Sequence, residues 1–447
     1  MVGRFIIVVC GLCGLCGIVG ACGNDSASTC QLAGPFPVGD PVGHPQPLGA
    51  GPNEARAGRV TAADLPAVPS GLITWQDGDF VLANDKIALV IEDVGDSDLY
   101  DPWGGRPVGL ARIEGGRMVE PNNFGEMFLL TGRSTVLTDS VTVIADGSDG
   151  GPAIIRARGK LHPIPFFEAL LAAVFSDAWL DIDAAIDYEL APGSEHVDVR
   201  IRYSSPRDAA AKVPSVAHSF MYTSRTPVFQ PGRGFDVAVN GAPYMALVDD
   251  QATSWAYIPT EGNLGSSLSA SGFVAAFSSG FDIPACGTFD RLHAQIVIGG
   301  PGLDGVQAAT ARVRGEAQRT ITGTVTRTGA GPAIPHVHAI DNVTGAYLTR
   351  ARPDASGQFT LHVPAAADVR LDSVREGEPI VAVQAGTGSG PVAITMPELG
   401  TVHVTATDNG TPVPVRVQVL PPNGAMAPRI PDNYGERPQL GGRQLLT

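Results

Sequence analysis

Short β-type runs punctuated by two-residue turns constrain this chain more than any other feature. Leu72-Ile73-Thr74-Trp75 is cut off by Asp77-Gly78, Phe80-Val81-Leu82-Ala83 by Asn84-Asp85, and Ile87 to Ile91 follows at once. Asp, Asn and Gly tolerate the positive φ that tight hairpin turns demand, so the run reads as antiparallel hairpins. The same grammar returns at 135–145, 153–158, 179–186, 196–203, 213–222, 273–277 and 292–298. From His196 to Tyr203 apolar and polar residues alternate, which predicts a strand with one face buried and one wet. With 55 Gly and 37 Pro in 447 residues, strands and turns should dominate over long helices. One exception is 165–175, where Phe166, Leu170, Ala173 and Val174 recur at helical spacing and predict a short helix packed on the sheet. The fold class expected is mainly β, a large antiparallel β-sandwich over 66–315. A boundary near Arg314 to Thr320 leads to a smaller β-sandwich over 316–397, then a partial β unit over 398–447. So short a last unit cannot form a core alone, so either its hairpin adds to the neighbouring sandwich or the chain continues beyond Thr447.

The N-terminus reads as an export signal. Arg4 precedes an apolar run from Phe5 to Val19 that is too short for a stable membrane span, and small residues follow it. Val19-Gly20-Ala21-Cys22 resembles the lipobox of bacterial lipoproteins. That resemblance implies a signal peptide over 1–21 and a membrane anchor through lipid on Cys22; the alternative is an ordinary secretory signal cleaved nearby. Gly23 stands where an Asp would suggest inner-membrane retention, so the resemblance favours the outer membrane, facing the periplasm or the outside. Residues 22–65, rich in Gly, Pro and Ser, read as a flexible tether. Loss of Arg4 takes the net charge from −15 to −16, which argues against nucleic acid and anionic head groups as partners. Cys10, Cys13 and Cys16 leave with the signal, so Cys30 and Cys286 remain. In an exported chain they are either a disulfide or two unpaired thiols.

Beyond the boundary, Ile321-Thr322-Gly323-Thr324-Val325-Thr326 and Asp354 to Leu361 carry a recognisable pattern. Asp354, Gly357, Phe359, Leu361 and Pro364 stand where the carboxypeptidase regulatory-like (transthyretin-related) β-sandwich has its signature, and the segment 320–397 resembles that family. Its usual Gly-Xaa-Tyr is replaced by Ala365-Ala366-Ala367. The resemblance implies a spacer or sugar-binding module. In the large unit, Asp187 to Ser194 ahead of an alternating strand resembles the galactose-mutarotase-like supersandwich. The lipobox, Gly78 to Lys86, the regulatory-like segment and Pro412 to Val417 together are similar to the N-terminal part of myxobacterial-type lipoproteins. In those proteins the C-terminal domain is a PHP-type metallohydrolase of the CehA/McbA kind, but its His- and Asp-rich ligand series does not occur before Thr447.

Candidate site residues are few. Asp93, Asp96, Asp98 and Asp101 crowd one loop and suit calcium, an ion of many oxygen ligands, although no closing Glu follows as in an EF-hand; a solvated acidic loop is the simpler reading. No other cofactor is expected. Trp103, beside Pro102 and Gly104-Gly105, and Trp255 with Tyr257 are the aromatics offered for stacking on sugar rings. His336-Val337-His338 places two imidazoles on one face of a strand, a possible start to a zinc site, but no third ligand lies near in sequence. His218 reads as a half-buried strand residue. No nucleophile elbow, P-loop or dinucleotide fingerprint occurs. The expectation is a lipid-anchored envelope protein that binds carbohydrate or a surface polymer without catalysis. Its rivals are the accessory region of a PHP-type hydrolase whose catalytic domain lies beyond Thr447, and a structural spacer without ligand.

Overall fold

The computed structural model describes residues 30, 36–64, 75–95, 100–119, 124–165, 168, 180, 182–222, 228–235, 240–250, 252–265, 267–270, 273–329, 335–375, 378–400, 403–419, 430–436 and 444–446. The signal segment 1–21, Cys22, and the helix expected over 165–175, apart from Pro165 and Glu168, lie outside the described residues.

A first antiparallel sheet runs in chain order through β1 (Ala55–Arg59), β2 (Phe80–Asn84), β3 (Ile87–Ile91), β4 (Pro107–Glu114) and β5 (Arg117–Met118). Asn84 closes the turn between β2 and β3: its Oδ1 accepts from the backbone N–H of Lys86 and Ile87, each at 2.9 Å. Its Nδ2 donates to the carbonyls of Ala191 and Ser194, so the same buried side chain fixes a local turn and a tertiary contact. Every residue of β2 and β3 is buried. Period-two alternation sorts them, with Phe80, Leu82, Ile87, Leu89 and Ile91 entering the main core. Val81, Ala83, Ala88 and Val90 turn the other way, onto Leu48, Trp75 and Val108.

The second sheet has thirteen strands. Its centre is the meander β6 (Phe124–Thr131), β7 (Ser134–Ala145), β8 (Ala153–Pro163), β9 (Asp183–Leu190) and β10 (His196–Ser204). Beyond β6 lie β11 (Ala211–Tyr222), β17 (Phe273–Ile283) and β16 (Ser267–Ala270). Beyond β10 come β18 (Thr288–Gly299), β15 (Ser254–Pro259), β14 (Met245–Leu247), β12 (Val228–Gln230) and β13 (Gly234–Phe235). Its apolar face and that of the first sheet share one core, containing Phe80, Phe124, Tyr188, Phe220, Trp255 and Tyr257. The chain is mainly β, as its turn grammar predicts.

From residue 36 onward the expected tether is part of the sandwich. β1 pairs with β2, and Asp40 and Val143 exchange two backbone hydrogen bonds of 2.8 Å. Its glycines permit close approach of backbones: a Cβ on Gly39 would lie 2.0 Å from the Val143 carbonyl oxygen, and one on Gly58 2.2 Å from that of His44. A disulfide joins Cys30 to Cys286, with the Cα atoms 5.1 Å apart.

A helix that the sequence reading did not anticipate follows β18. Helix α1 (Gly302–Arg314) buries Leu303, Val306 and Ala309 and ends at Gly315, whose left-handed φ of 68° and N–H bonds to Ala311 and Arg312 form a C-cap. The smaller unit is a two-sheet sandwich whose strands run from Gln318 to Met396. One sheet holds β19 (Gln318–Arg327) between β22 (Gln358–Pro364) and the parallel β25 (Val392–Met396). The other has the order β21 (Tyr347–Ala351), β20 (His336–Asp341), β23 (Val369–Val374), β24 (Val381–Gly386). Ile321, Val337, Phe359, Leu361, Leu371 and Ile394 fill the space between them.

In the last unit, β26 (Thr407–Asp408) pairs with β27 (Thr411–Pro412), and β28 (Val417–Val419) with β29 (Gln444–Leu446). Neither pair joins a sandwich sheet. Residues 430–436 instead return to the seam between the two sandwiches. There Ile430 and Tyr434 pack with Phe229, Phe235 and Tyr244 of the large unit, Leu303 and Val306 of α1, and Ile340 and Tyr347 of the small unit.

The disulfide closes a loop across a sequence separation of 256, and loop entropy sets an upper bound of about 5 kcal/mol on its stabilisation. Replacing both cysteines with serine should lower the guanidinium midpoint by the equivalent of about 2–5 kcal/mol. A midpoint unchanged from wild type would mean that the non-covalent contacts of residues 36–64 suffice.

Candidate functional site

Two of the three aromatics offered for sugar stacking are core residues. Trp255 and Tyr257 have 0% exposure, the first edge-on to Phe124 at 5.3 Å and the second bonded through its hydroxyl to His218 Nε2 at 3.1 Å. They sit two apart on β15, so both side chains point inward, and neither can meet a ligand. Trp103 is half-buried and packs edge-on against His162 at 5.2 Å. Of the proposed calcium ligands, Asp96 and Asp98 lie outside the described residues. Asp93 is paired with Arg59 at 2.6 Å. Asp101 is buried, and burial pushes its carboxyl up to about 7, with Arg106 opposing. Arg106 is itself committed to Glu92 and Glu126, at 2.5 and 2.7 Å. Of the described carboxylates of this loop, Asp93 is balanced by Arg59 and Asp101 is sealed from water.

Strands β11, β15, β17 and β18 bring four polar groups to one buried point. His218 Nε2 lies 2.8 Å from His293 Nε2, 3.0 Å from Ser278 Oγ and 3.1 Å from Tyr257 Oη. Arg291 donates to His293 Nδ1 at 2.9 Å, so the His293 proton sits on Nε2 and is donated to His218. Burial, reinforced by Arg291, pushes His293 down to about 3, and burial pushes His218 well below its ordinary range. Both rings are neutral, and their place in the core (His218 has 0% exposure) makes them structural.

A second constellation lies at the seam. His336 and His338, two apart on β20, face Glu436, which arrives on the returning segment. His336 Nδ1 is 2.7 Å from Glu436 Oε1, and His338 Nε2 is 3.3 Å from the same oxygen. Arg350 Nη1 donates to the Tyr434 carbonyl at 3.0 Å and to Glu436 at 3.3 Å, while Nη2 reaches Asp250 at 3.3 Å. Tyr434 stacks on the His338 ring with centroids 4.5 Å apart, and its hydroxyl donates to Asp372. Burial alone would raise the Glu436 carboxyl, but the donors around it, His336 foremost, hold it well below the usual carboxylate range. The carboxylate that the His-x-His pair faces is therefore a residue 100 positions away from His336, beyond any local spacing signal.

The small sandwich also carries an open polar cleft of about 390 Å³. Thr322 and Thr324 of β19, Gln358 and Thr360 of β22, and Arg352 and Asp354 of the connection between β21 and β22 line it. Phe359 forms its floor beside Gly323, where a Cβ would lie 2.3 Å from the Phe359 ring. Asp354 Oδ1 is occupied, accepting from the backbone N–H and hydroxyl of Ser356 and from the N–H of Gln358.

No protein-family model matches the chain, and no curated protein does. Among solved structures, a TPR-domain containing protein from Parabacteroides distasonis is similar over 49% of this chain at 10% identity and a TM-score of 0.32. This chain covers 46% of that protein. A galactose mutarotase related enzyme from Lactobacillus acidophilus is similar over 49% of this chain and 97% of its own, at 6% identity and a TM-score of 0.27. The galactosidase domain of the alpha-galactosidase-sucrose kinase AgaSK is similar over 56% of this chain and 45% of its own, at 6% identity and a TM-score of 0.31. Likenesses at these scores fix neither a site nor an activity.

The buried histidine pair makes stability depend on pH. Both rings titrate near 6.5 when unfolded but are held neutral in the fold, so the unfolded chain binds more protons as the pH drops. The His293 contribution is complete above pH 6.5 and is lost between there and about pH 3. That of His218, depressed in the same direction, is lost as the pH falls below 6.5 as well. The urea midpoint should fall steadily over this range, and His293→Gln should flatten the fall. A wild-type midpoint independent of pH over the same range would contradict a buried neutral pair.

Proposed function

We propose that this chain is a lipid-anchored protein of the cell envelope that binds carbohydrate or a surface polymer without transforming it. The cleft of the small sandwich is where the polymer lies. The observation that carries this reading is the chemistry of its lining. Three threonine hydroxyls, each able to donate and accept, stand beside the planar polar groups of Arg352, Asp354 and Gln358. Neighbouring sugar hydroxyls are bonded in pairs by such groups. A cleft open to solvent, with exposed Thr322, Arg352, Asp354, Gln358 and Thr360 along it, suits a chain molecule that passes along it rather than a monomer that must be enclosed.

The non-catalytic part of the reading rests on the carboxylates. Glycoside hydrolysis commonly takes a pair, whereas Asp354 is the one carboxylate lining the cleft, and its Oδ1 is engaged by its own loop. Export is supported by the Cys30–Cys286 disulfide, a bond that persists in oxidising compartments.

Arg352 and Gln358 are exposed, so their replacement should leave the fold intact. In affinity electrophoresis through gels containing native envelope polysaccharide, the wild type should be retarded. Arg352→Ala and Gln358→Ala should each weaken retention about tenfold. A wild type that migrates unretarded through neutral and acidic polysaccharides alike would sink the reading. For the anchor, Cys22→Ser should abolish labelling by a fatty-acid analogue and move the protein from the membrane to the soluble fraction. Unchanged labelling would remove Cys22 as the anchor.

A further inference from the structure

We propose that His336, His338 and Glu436 bind a divalent transition-metal ion of the zinc class at the seam, with water completing the coordination. One donor atom from each of His336, His338 and Glu436 lies within 4.8 Å of the other two. Two ligands held ~2.0–2.1 Å from a tetrahedral ion stand about 3.3 Å apart. His338 Nε2 and Glu436 Oε1 are separated by 3.3 Å. His336 Nδ1 is closer to the carboxylate, at 2.7 Å, and this hydrogen bond gives way to the ion.

The independent observation is an unpartnered group. His338 has 0% exposure, and its Nε2 points into the cluster, 3.3 Å from Glu436 Oε1 but without the geometry of a hydrogen bond. A buried nitrogen so placed is costly to leave without a bond, and a metal bond would offset that cost. His338 also has the outer support that metal-binding histidines commonly show. His338 Nδ1 is 2.7 Å from Tyr347 Oη, so a proton on Nδ1 leaves the Nε2 lone pair facing the cluster. His336 Nε2 faces Asp250 at 3.7 Å.

Charge permits the ion. Glu436 and Asp250 carry two negative charges against the single positive charge of Arg350. When the ion binds, Arg350 keeps Asp250 and the Tyr434 carbonyl and releases Glu436. Imidazole donors select zinc, cobalt, nickel or copper over calcium and magnesium. Half-buried His336 and Glu436 leave the open position on the solvent side. Two ligands come from β20 and the third from the returning segment, so the ion would pin that segment to the small sandwich.

The site shares no residue with the polysaccharide cleft, so either proposal can fail alone. The test uses the secreted full chain, purified without a histidine tag, stripped with chelator and titrated with Zn²⁺ by calorimetry and with Co²⁺ by visible absorption. The expected result is one ion per chain with the intense band of four-coordinate Co²⁺. His338→Ala and Glu436→Gln should weaken binding at least about 100-fold, and Tyr347→Phe about tenfold. His336→Gln alters a half-buried position and serves if the buried variants fail to fold; it should lose the Co²⁺ band. His403→Ala, at an exposed histidine, should change nothing. Failure to take up one equivalent at micromolar metal, or uptake that persists unchanged in His336→Gln, would overturn the proposal.

Discussion

The arrangement of this chain depends on apolar burial at the seam between its two sandwiches. Leu303, Val306 and Ala309 of α1 give the large unit a face that the small unit meets with Ile340 and Tyr347. Each large apolar side chain withdrawn from water there contributes on the order of 1.5–3 kcal/mol. Asp304 adds direction: its carboxylate accepts from the His362 backbone N–H and pairs with the His362 ring, both at 2.7 Å. That contact raises His362 above its ordinary range, so the ring favours the charged form that strengthens the bond. The helix, although short, sets how the two β units meet.

Much of the fold was legible because its signals are local. Asn84 announces a hairpin that forms as read between β2 and β3. Asp77-Gly78, by contrast, with Gly78 at a φ of 96°, turns the chain into β2, and the strand expected at 72–74 lies outside the described residues. Alternation from His196 to Tyr203 gives the expected buried and half-buried faces of β10. α1 was missed because glycines at 302 and 305 interrupt its first turn and no side chain caps its start. Its Gly315 C-cap was the available clue. Residues 36–64 were misread because glycine serves both flexible chains and tight backbone contacts, and composition does not distinguish the two. At Gly39 and Gly58 it is the contact that matters.

The candidate sites were less legible, for a different reason. Aromatic residues recommend themselves for sugar binding by chemistry alone, yet Trp255 and Tyr257 lie on inward positions of a strand between two paired neighbours. Position along a strand is readable, but which face the strand turns to the core depends on the whole sheet. The His-x-His pair was visible, whereas Glu436 reaches it only through the return of 430–436 across the seam. The polar cleft likewise combines residues from β19, β22 and the connection before β22 that no motif links.

The return of that segment bears on the order in which the molecule is completed. Each sandwich has its strands in place once residue 396 has been made. Ile430 and Tyr434, however, are missing from the joint until the chain beyond that point has reached the compartment where it folds. Throughout the interval, the surfaces of Phe229, Phe235 and Tyr347 that these side chains cover are exposed to solvent and to other chains. The nascent protein therefore passes through a stage at which its units are formed but its hinge is unfilled.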